Sequence, residues 1–116
     1  ILTGSSSSRR PGTGLGVYGA TKAAVRNLVR TWIAELGPSG VRVNVLSPGP
    51  TNTPGLRGLA PAGQEQALLD SMAAQVPLGR VADPAEIANA AVFLASGESS
   101  FVNGTEFFVD GGMAQV

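Results

Sequence analysis

The sequence predicts an α/β fold with a parallel sheet, and three observations carry that reading. Strand-like and helix-like patterns follow one another as strand, helix, strand, excursion, helix, strand. The β-branched run at residues 41–46 comes directly after a helix stop, as a strand–helix–strand crossover requires. Residues 17–36 carry a long apolar stripe of helical period, enough for a helix laid across a sheet.

Taken in order, residues 1–4 read as the end of a buried strand, and residues 5–16 read as a loop, rich in serine and glycine with one proline. In the helix that follows, Val25, Leu28, Val29, Trp32, Ile33 and Leu36 recur every three or four positions, with Arg26, Asn27, Arg30 and Glu35 between them. Ala20, Ala23 and Ala24 widen its apolar surface, so the helix is expected to be covered on more than one side, by the sheet and by another subunit. Gly37-Pro38-Ser39-Gly40 stops it. The strand at 41–46 alternates β-branched residues and runs out at Pro48-Gly49. Residues 54–62 are mobile by composition, and 64–76 are helical with Leu68, Leu69, Met72 and Val76 on one side.

Asp83-Pro84-Ala85-Glu86 has the form of a helix start: an acidic N-cap, proline at the first position and glutamate at the third. Both carboxylates are therefore read as structural. Ile87, Ala90, Ala91, Phe93 and Leu94 bury this helix, which ends near Gly97. Residues 105–109 form the last strand, closed by the Asp110-Gly111-Gly112 turn.

Composition narrows the function. The 116 residues fit one domain, and 43% are hydrophobic. Eight basic and eight acidic residues leave no net charge, which argues against nucleic acid or an anionic membrane as partner. Arg9-Arg10 is too short to be a basic patch. With no cysteine and no histidine, no metal site is expected, and acid–base chemistry must use tyrosine, lysine or carboxylates. No apolar run approaches the ~20 residues that span a bilayer, and the protein is expected to be cytoplasmic. Ile1-Leu2-Thr3 starts inside an apolar strand without an initiator methionine, which suggests a fragment of a longer protein.

The chemistry-bearing candidate is Tyr18 with Lys22, the only tyrosine and the only lysine of the chain. Four apart on a helix, they share a face one turn apart. An ammonium held beside a phenol favours the phenolate, so such a pair is a proton-transfer device. Any solvated helix can carry Tyr-x3-Lys, and the surroundings give the pair its weight. Ser5 stands thirteen positions before Tyr18.

Ser5 with Tyr18-Gly19-Ala20-Thr21-Lys22, the strand end Ser47-Pro48-Gly49-Pro50-Thr51-Asn52-Thr53, and Val102-Asn103-Gly104-Thr105-Glu106-Phe107-Phe108-Val109-Asp110-Gly111-Gly112 together resemble the C-terminal half of the short-chain dehydrogenase/reductase family. The resemblance runs from Ile1 to Val116 in one register. It implies a single partial catalytic domain over 1–116, the C-terminal half of a Rossmann-like doubly wound parallel sheet. It implies NAD or NADP as cofactor and a small-molecule carbonyl or alcohol as substrate. Tyr18 would be the general acid/base, Ser5 would orient the carbonyl oxygen, and Lys22 would serve both the tyrosine and the nicotinamide ribose. Pro48, Gly49, Thr51 and Thr53 would join Tyr18 and Lys22 in holding the cofactor. Thr51 stands where many relatives carry a β-branched aliphatic residue.

The resemblance selects Ser5 among four serines and leaves Ser6, Ser7 and Ser8 as loop. Residues 50–78 match the family's substrate lid, where Leu56, Leu59, Leu69 and Met72 either face an apolar substrate or pack the lid on the body. The family's glycine-rich phosphate turn and relay asparagine have no counterpart here; Gly12-Thr13-Gly14-Leu15-Gly16 follows the serine-rich loop and reads as a flexible loop. A homodimer or homotetramer is implied, with Trp32, Ile33, Leu36, Phe107, Phe108 and Val109 offering apolar surface. The alternative is a truncated, non-catalytic remnant that only oligomerises or binds a ligand.

Overall fold

A computed structural model describes residues 1–116. Strands β1 (Leu2–Thr3), β2 (Val45–Pro48) and β3 (Glu106–Val109) form one parallel sheet in the order β1-β2-β3. Between them lie helices α1 (Gly16–Leu36), α2 (Pro54–Arg57), α3 (Glu65–Ala73) and α4 (Pro84–Ala95). The predicted order of elements is observed, with the short helix α2 added.

Alternation along the strands decides what each face meets. Val45 and Ser47 sit beside Glu106 and Phe108 in the pairing register, and Leu46 sits beside Phe107 on the opposite face. The first face receives α1: Val29, Val43 and Val45 are buried together, with Leu2, Val25, Trp32 and Ile33 packed around them. The second face receives α4, whose Phe93 ring lies 6.0 Å from that of Phe107. Helices thus cover both faces. Full burial of Val29 and Val45 contributes roughly 1.5–3 kcal/mol each. Trp32 and Ile33, expected as subunit surface, are turned inward by this packing, and Leu28 and Leu36 remain exposed.

Three boundaries differ from expectation. Strand β2 begins at Val45 because side-chain amides interrupt the ladder before it: the Val43 N–H donates to Asn103 Oδ1 at 2.8 Å, and the Thr105 N–H to Asn44 Oδ1 at 3.0 Å. The segment expected to be mobile contains α2, capped by Thr53, whose hydroxyl accepts from the Leu56 N–H at 3.2 Å, with Pro54 pre-set for the first turn. Helix α3 ends at Ala73, three residues early. The start of α4 follows the sequence closely, since Asp83 accepts from the Ala85 N–H and Glu86 reaches back to the Asp83 N–H, each at 2.8 Å.

The radius of gyration is 15.3 Å, above the ~13 Å of a compact chain this long, and only 14 residues are buried. A three-stranded sheet with one long helix on one face leaves much apolar surface open, including Phe101 and Val92. No helix is long and apolar enough to cross a membrane.

Candidate active site

The C-terminal ends of the parallel strands gather the candidate residues, the place where open α/β sheets form their ligand crevices. After β1, the Gly4 N–H donates to Leu46 O at 2.7 Å and carries the chain to Ser5, which is buried. Ser5 caps a 3-10 turn over Ser6–Ser8, its hydroxyl oxygen accepting from the Ser7 N–H at 3.2 Å. This turn docks on the first turns of α1. The Ser7 carbonyl oxygen lies so near Gly19 that an added Cβ would come within 2.8 Å of it. The close approach sets the serine turn beside Tyr18.

Tyr18 is 46% exposed, and the Lys22 ammonium lies 5.7 Å from its ring centroid. The same ammonium donates to Thr3 O at 3.0 Å, which pins the lysine to the end of β1. A cation at this distance from an aromatic face is itself attracted to it, about 0.5–1 kcal/mol at exposed sites. Ser5, Tyr18 and Lys22 thus belong to one neighbourhood at the end of β1.

Pro48 and Gly49 end β2, where the Gly49 N–H donates to Val109 O at 3.0 Å. The Thr51 hydroxyl donates to Gly49 O at 3.0 Å and keeps its lone pairs, whereas Thr53 accepts as helix cap and keeps its proton. Both hydroxyls therefore retain one hydrogen-bonding function for a ligand. In the segment expected as the lid, Leu69 is buried and Leu59 is 74% exposed, so its apolar residues divide between packing and surface. The Gly12–Gly16 cluster forms a turn into α1, with the Leu15 N–H donating to Gly12 O.

A hollow of about 450 Å³ adjoins the end of β2, between Pro50, β3 and the segment after α3, lined by Pro50, Val76, Leu78, Ala82 and Phe108 among others. Glu86 and its partner Arg80 line the same hollow. Arg80 hydrogen-bonds both Glu86 oxygens at 2.7 Å and, with the Asp83 N–H, holds the Glu86 carboxyl down at about 2.

Sequence reasoning missed two residues next to the site. Glu106, with a side chain 7% exposed, accepts from the Ser8 and Ser47 hydroxyls and lies 3.6 Å from the Arg26 guanidinium. Its signal was a lone carboxylate on the α1 side of an aromatic strand. Arg10 donates to Gln75 O and Met113 O, tying the serine loop to the segment after α3 and to the C-terminal residues.

Comparison with known proteins bears on the family and the fold. The family model described as "Enoyl-(Acyl carrier protein) reductase" matches residues 1–114. An oxidoreductase of Sarocladium schorii is 45% identical over 116 residues, all of this chain and 45% of the relative. The 2-keto-3-deoxy-L-fuconate dehydrogenase of Xanthomonas campestris is 47% identical over 98 residues, covering 83% of this chain and 33% of that protein. Among solved structures, a short-chain dehydrogenase family protein from Francisella tularensis superposes with TM-score 0.92 at 26% identity, over 98% of this chain and 50% of that one. The ligand-free aldohexose dehydrogenase of Thermoplasma acidophilum gives 0.90 at 27%, over 98% and 47%. The chain belongs to the short-chain dehydrogenase/reductase family. It spans less than half the length of the curated relatives just described.

Proposed function

We propose that the full-length protein is an NAD(P)-dependent oxidoreductase that interconverts a carbonyl and a hydroxyl on a small molecule, with Tyr18 as general acid/base. The observation that carries this reading is the Tyr18–Lys22 pair seated at the end of β1, with the turn that Ser5 caps docked at Gly19 beside it. In this reading the Tyr18 hydroxyl passes a proton to the carbonyl oxygen or takes one from the hydroxyl, and Ser5 hydrogen-bonds that oxygen. Lys22 keeps N–H donors beyond the one given to Thr3 O, which suits a ribose hydroxyl. Gly49, Thr51 and Thr53 provide the backbone and hydroxyl groups along which a nicotinamide would lie. A bound nicotinamide supplies or accepts the hydride. Relatives named as a 2-keto-3-deoxy-L-fuconate dehydrogenase and a hydroxysteroid dehydrogenase support carbonyl or alcohol chemistry on differing carbon skeletons.

Tyr18→Phe in the full-length protein tests this. The exchange removes one ionisable proton and little volume, so turnover is expected to fall by ~10²–10⁴-fold with cofactor affinity nearly unchanged. Ser5→Ala should be severe, and Ser6→Ala and Ser7→Ala mild. A Tyr18→Phe protein that keeps more than about a tenth of the wild-type rate defeats the acid/base assignment. The 116 residues alone, with so little buried, should show no turnover.

A further inference from the structure

A carboxylate with a side chain only 7% exposed, at the start of a strand that continues as Phe107-Phe108, is costly to place unless its partners are worth the desolvation. The partners of Glu106 show what the carboxylate adds. Its Oε1 accepts from the Ser8 hydroxyl at 2.5 Å and from the fully buried Ser47 hydroxyl at 2.8 Å, and its Oε2 lies 3.6 Å from Arg26 Nη1.

Each partner belongs to a different element that bears a candidate site residue. Ser8 ends the 3-10 turn that Ser5 caps. Ser47 directly precedes Pro48-Gly49 on β2, and its hydroxyl lies against Gly4 so closely that a Cβ there would overlap it. Arg26 stands one helical turn after Lys22 and two after Tyr18 on α1. The geometry points to Glu106 as the positioning residue of this site: one buried carboxylate fixes the serine turn, the end of β2 and the tyrosine helix relative to one another. The inference rests on the proposed roles of Ser5, Tyr18 and Lys22. Glu106 touches none of the reacting atoms and acts through Ser8, Ser47 and Arg26.

The test uses Glu106→Gln, Ser8→Ala and the double variant in the full-length protein. The amide of Gln keeps the shape, but it cannot serve two hydroxyls on one oxygen while offering a second acceptor to Arg26. Glu106→Gln is expected to lower kcat by about tenfold or more, as small misplacements of reacting groups do, with KM and cofactor affinity within about twofold. Ser8→Ala should lower kcat similarly, and the double variant should fall no further than the worse single one. Without substrate, hydrogen exchange at the Ser8 and Arg9 amides, which donate to Ser5 O and Ser6 O, should speed up in both variants.

Unchanged kcat and exchange in Ser8→Ala would overturn the inference, and so would strictly additive losses in the double variant. Were Glu106→Gln to fail to fold, Ser8→Ala alone decides, because its side chain is only partly buried. If Tyr18→Phe stays active, the functional reading fails, while the exchange data still report whether Glu106 holds the turn.

Discussion

Gly19→Ala sets two known effects against each other at the residue next to Tyr18. Inside a helix, replacing glycine by alanine ordinarily stabilises by about 1 kcal/mol. Here the new Cβ would stand 2.8 Å from the Ser7 carbonyl oxygen, about 0.6 Å short of the 3.4 Å at which ordinary contact begins. The obstructing atom is backbone, in a turn held by Ser5 at one end and by Glu106 through Ser8 at the other. No flexible side-chain tip can swing away, so either the turn or the helix must shift. Overpacking of this kind costs about 1–3 kcal/mol, which matches or exceeds the propensity gain. The expected net effect is a loss of roughly 0–2 kcal/mol, where the helix scale alone forecasts a gain of about 1.

Gly16→Ala on the same helix is the control, because a Cβ there meets nothing within 4 Å. Thermal denaturation of the two full-length variants reads the difference, with about 2–4 °C per kcal/mol for a protein of 150–250 residues. Turnover supplies a second reading. A shift of several tenths of an ångström two residues from Ser5 should lower kcat by at least about tenfold in Gly19→Ala and leave Gly16→Ala near wild type. A Gly19→Ala protein that melts higher than wild type and turns over at the wild-type rate would show that the serine turn floats freely, and the positional argument would fail.

Two further outcomes follow from the same structure. The folded carboxyl of Glu86, at about 2, lies below its ordinary 4.5, so its contribution to stability is complete above about 4.5 and is lost as pH falls toward 2. Glu86→Gln should therefore melt lower than wild type at pH 7, with the gap closing at pH 2–3; a gap that does not narrow in acid would refute the ion-pair and capping account. For assembly, the proposal of a homodimer or homotetramer rests on the outer side of α1, where Val17, Leu28 and Leu36 remain exposed. Light scattering of the full-length protein at tens of micromolar should give a dimer or larger, and a monomer would remove α1 as an interface.

What the sequence revealed and what it hid divide by the range of the interaction. Helix α1 and the α4 start were legible because their signals are local: an apolar period for one, and Asp83-Pro84-Ala85-Glu86 for the other. Tyr18 and Lys22 were legible for the same reason, since a spacing of four on a helix fixes their relation without tertiary help. The α2 start was equally local and was overlooked: Thr53-Pro54 is a cap followed by a first-turn proline, masked by the glycine-rich composition around it. Misjudging which α1 residues face outward came from counting apolar side chains without knowing which stripe the sheet selects. Val29 fixes that choice by packing over Val43 and Val45, and Val25, Trp32 and Ile33 follow it inward.

Glu106 is the opposite case, because its partners lie 59, 80 and 98 positions away and no local pattern announces them. Its meaning depends on strand register: shift β3 by one residue against β2, and the carboxylate passes to the α4 face, away from Ser8, Ser47 and Arg26. A charged residue on the helix-covered face of a strand is thus readable only once the sheet order and the pairing of Val45 with Glu106 are known. The same dependence gives the carboxylate a second effect. A register slip that buries Glu106 against Phe93 and α4 would leave it without a donor, at a cost of several kcal/mol for an unpaired buried charge. The residue that aligns the site therefore also penalises the nearest misfolded pairing of the strand that carries it.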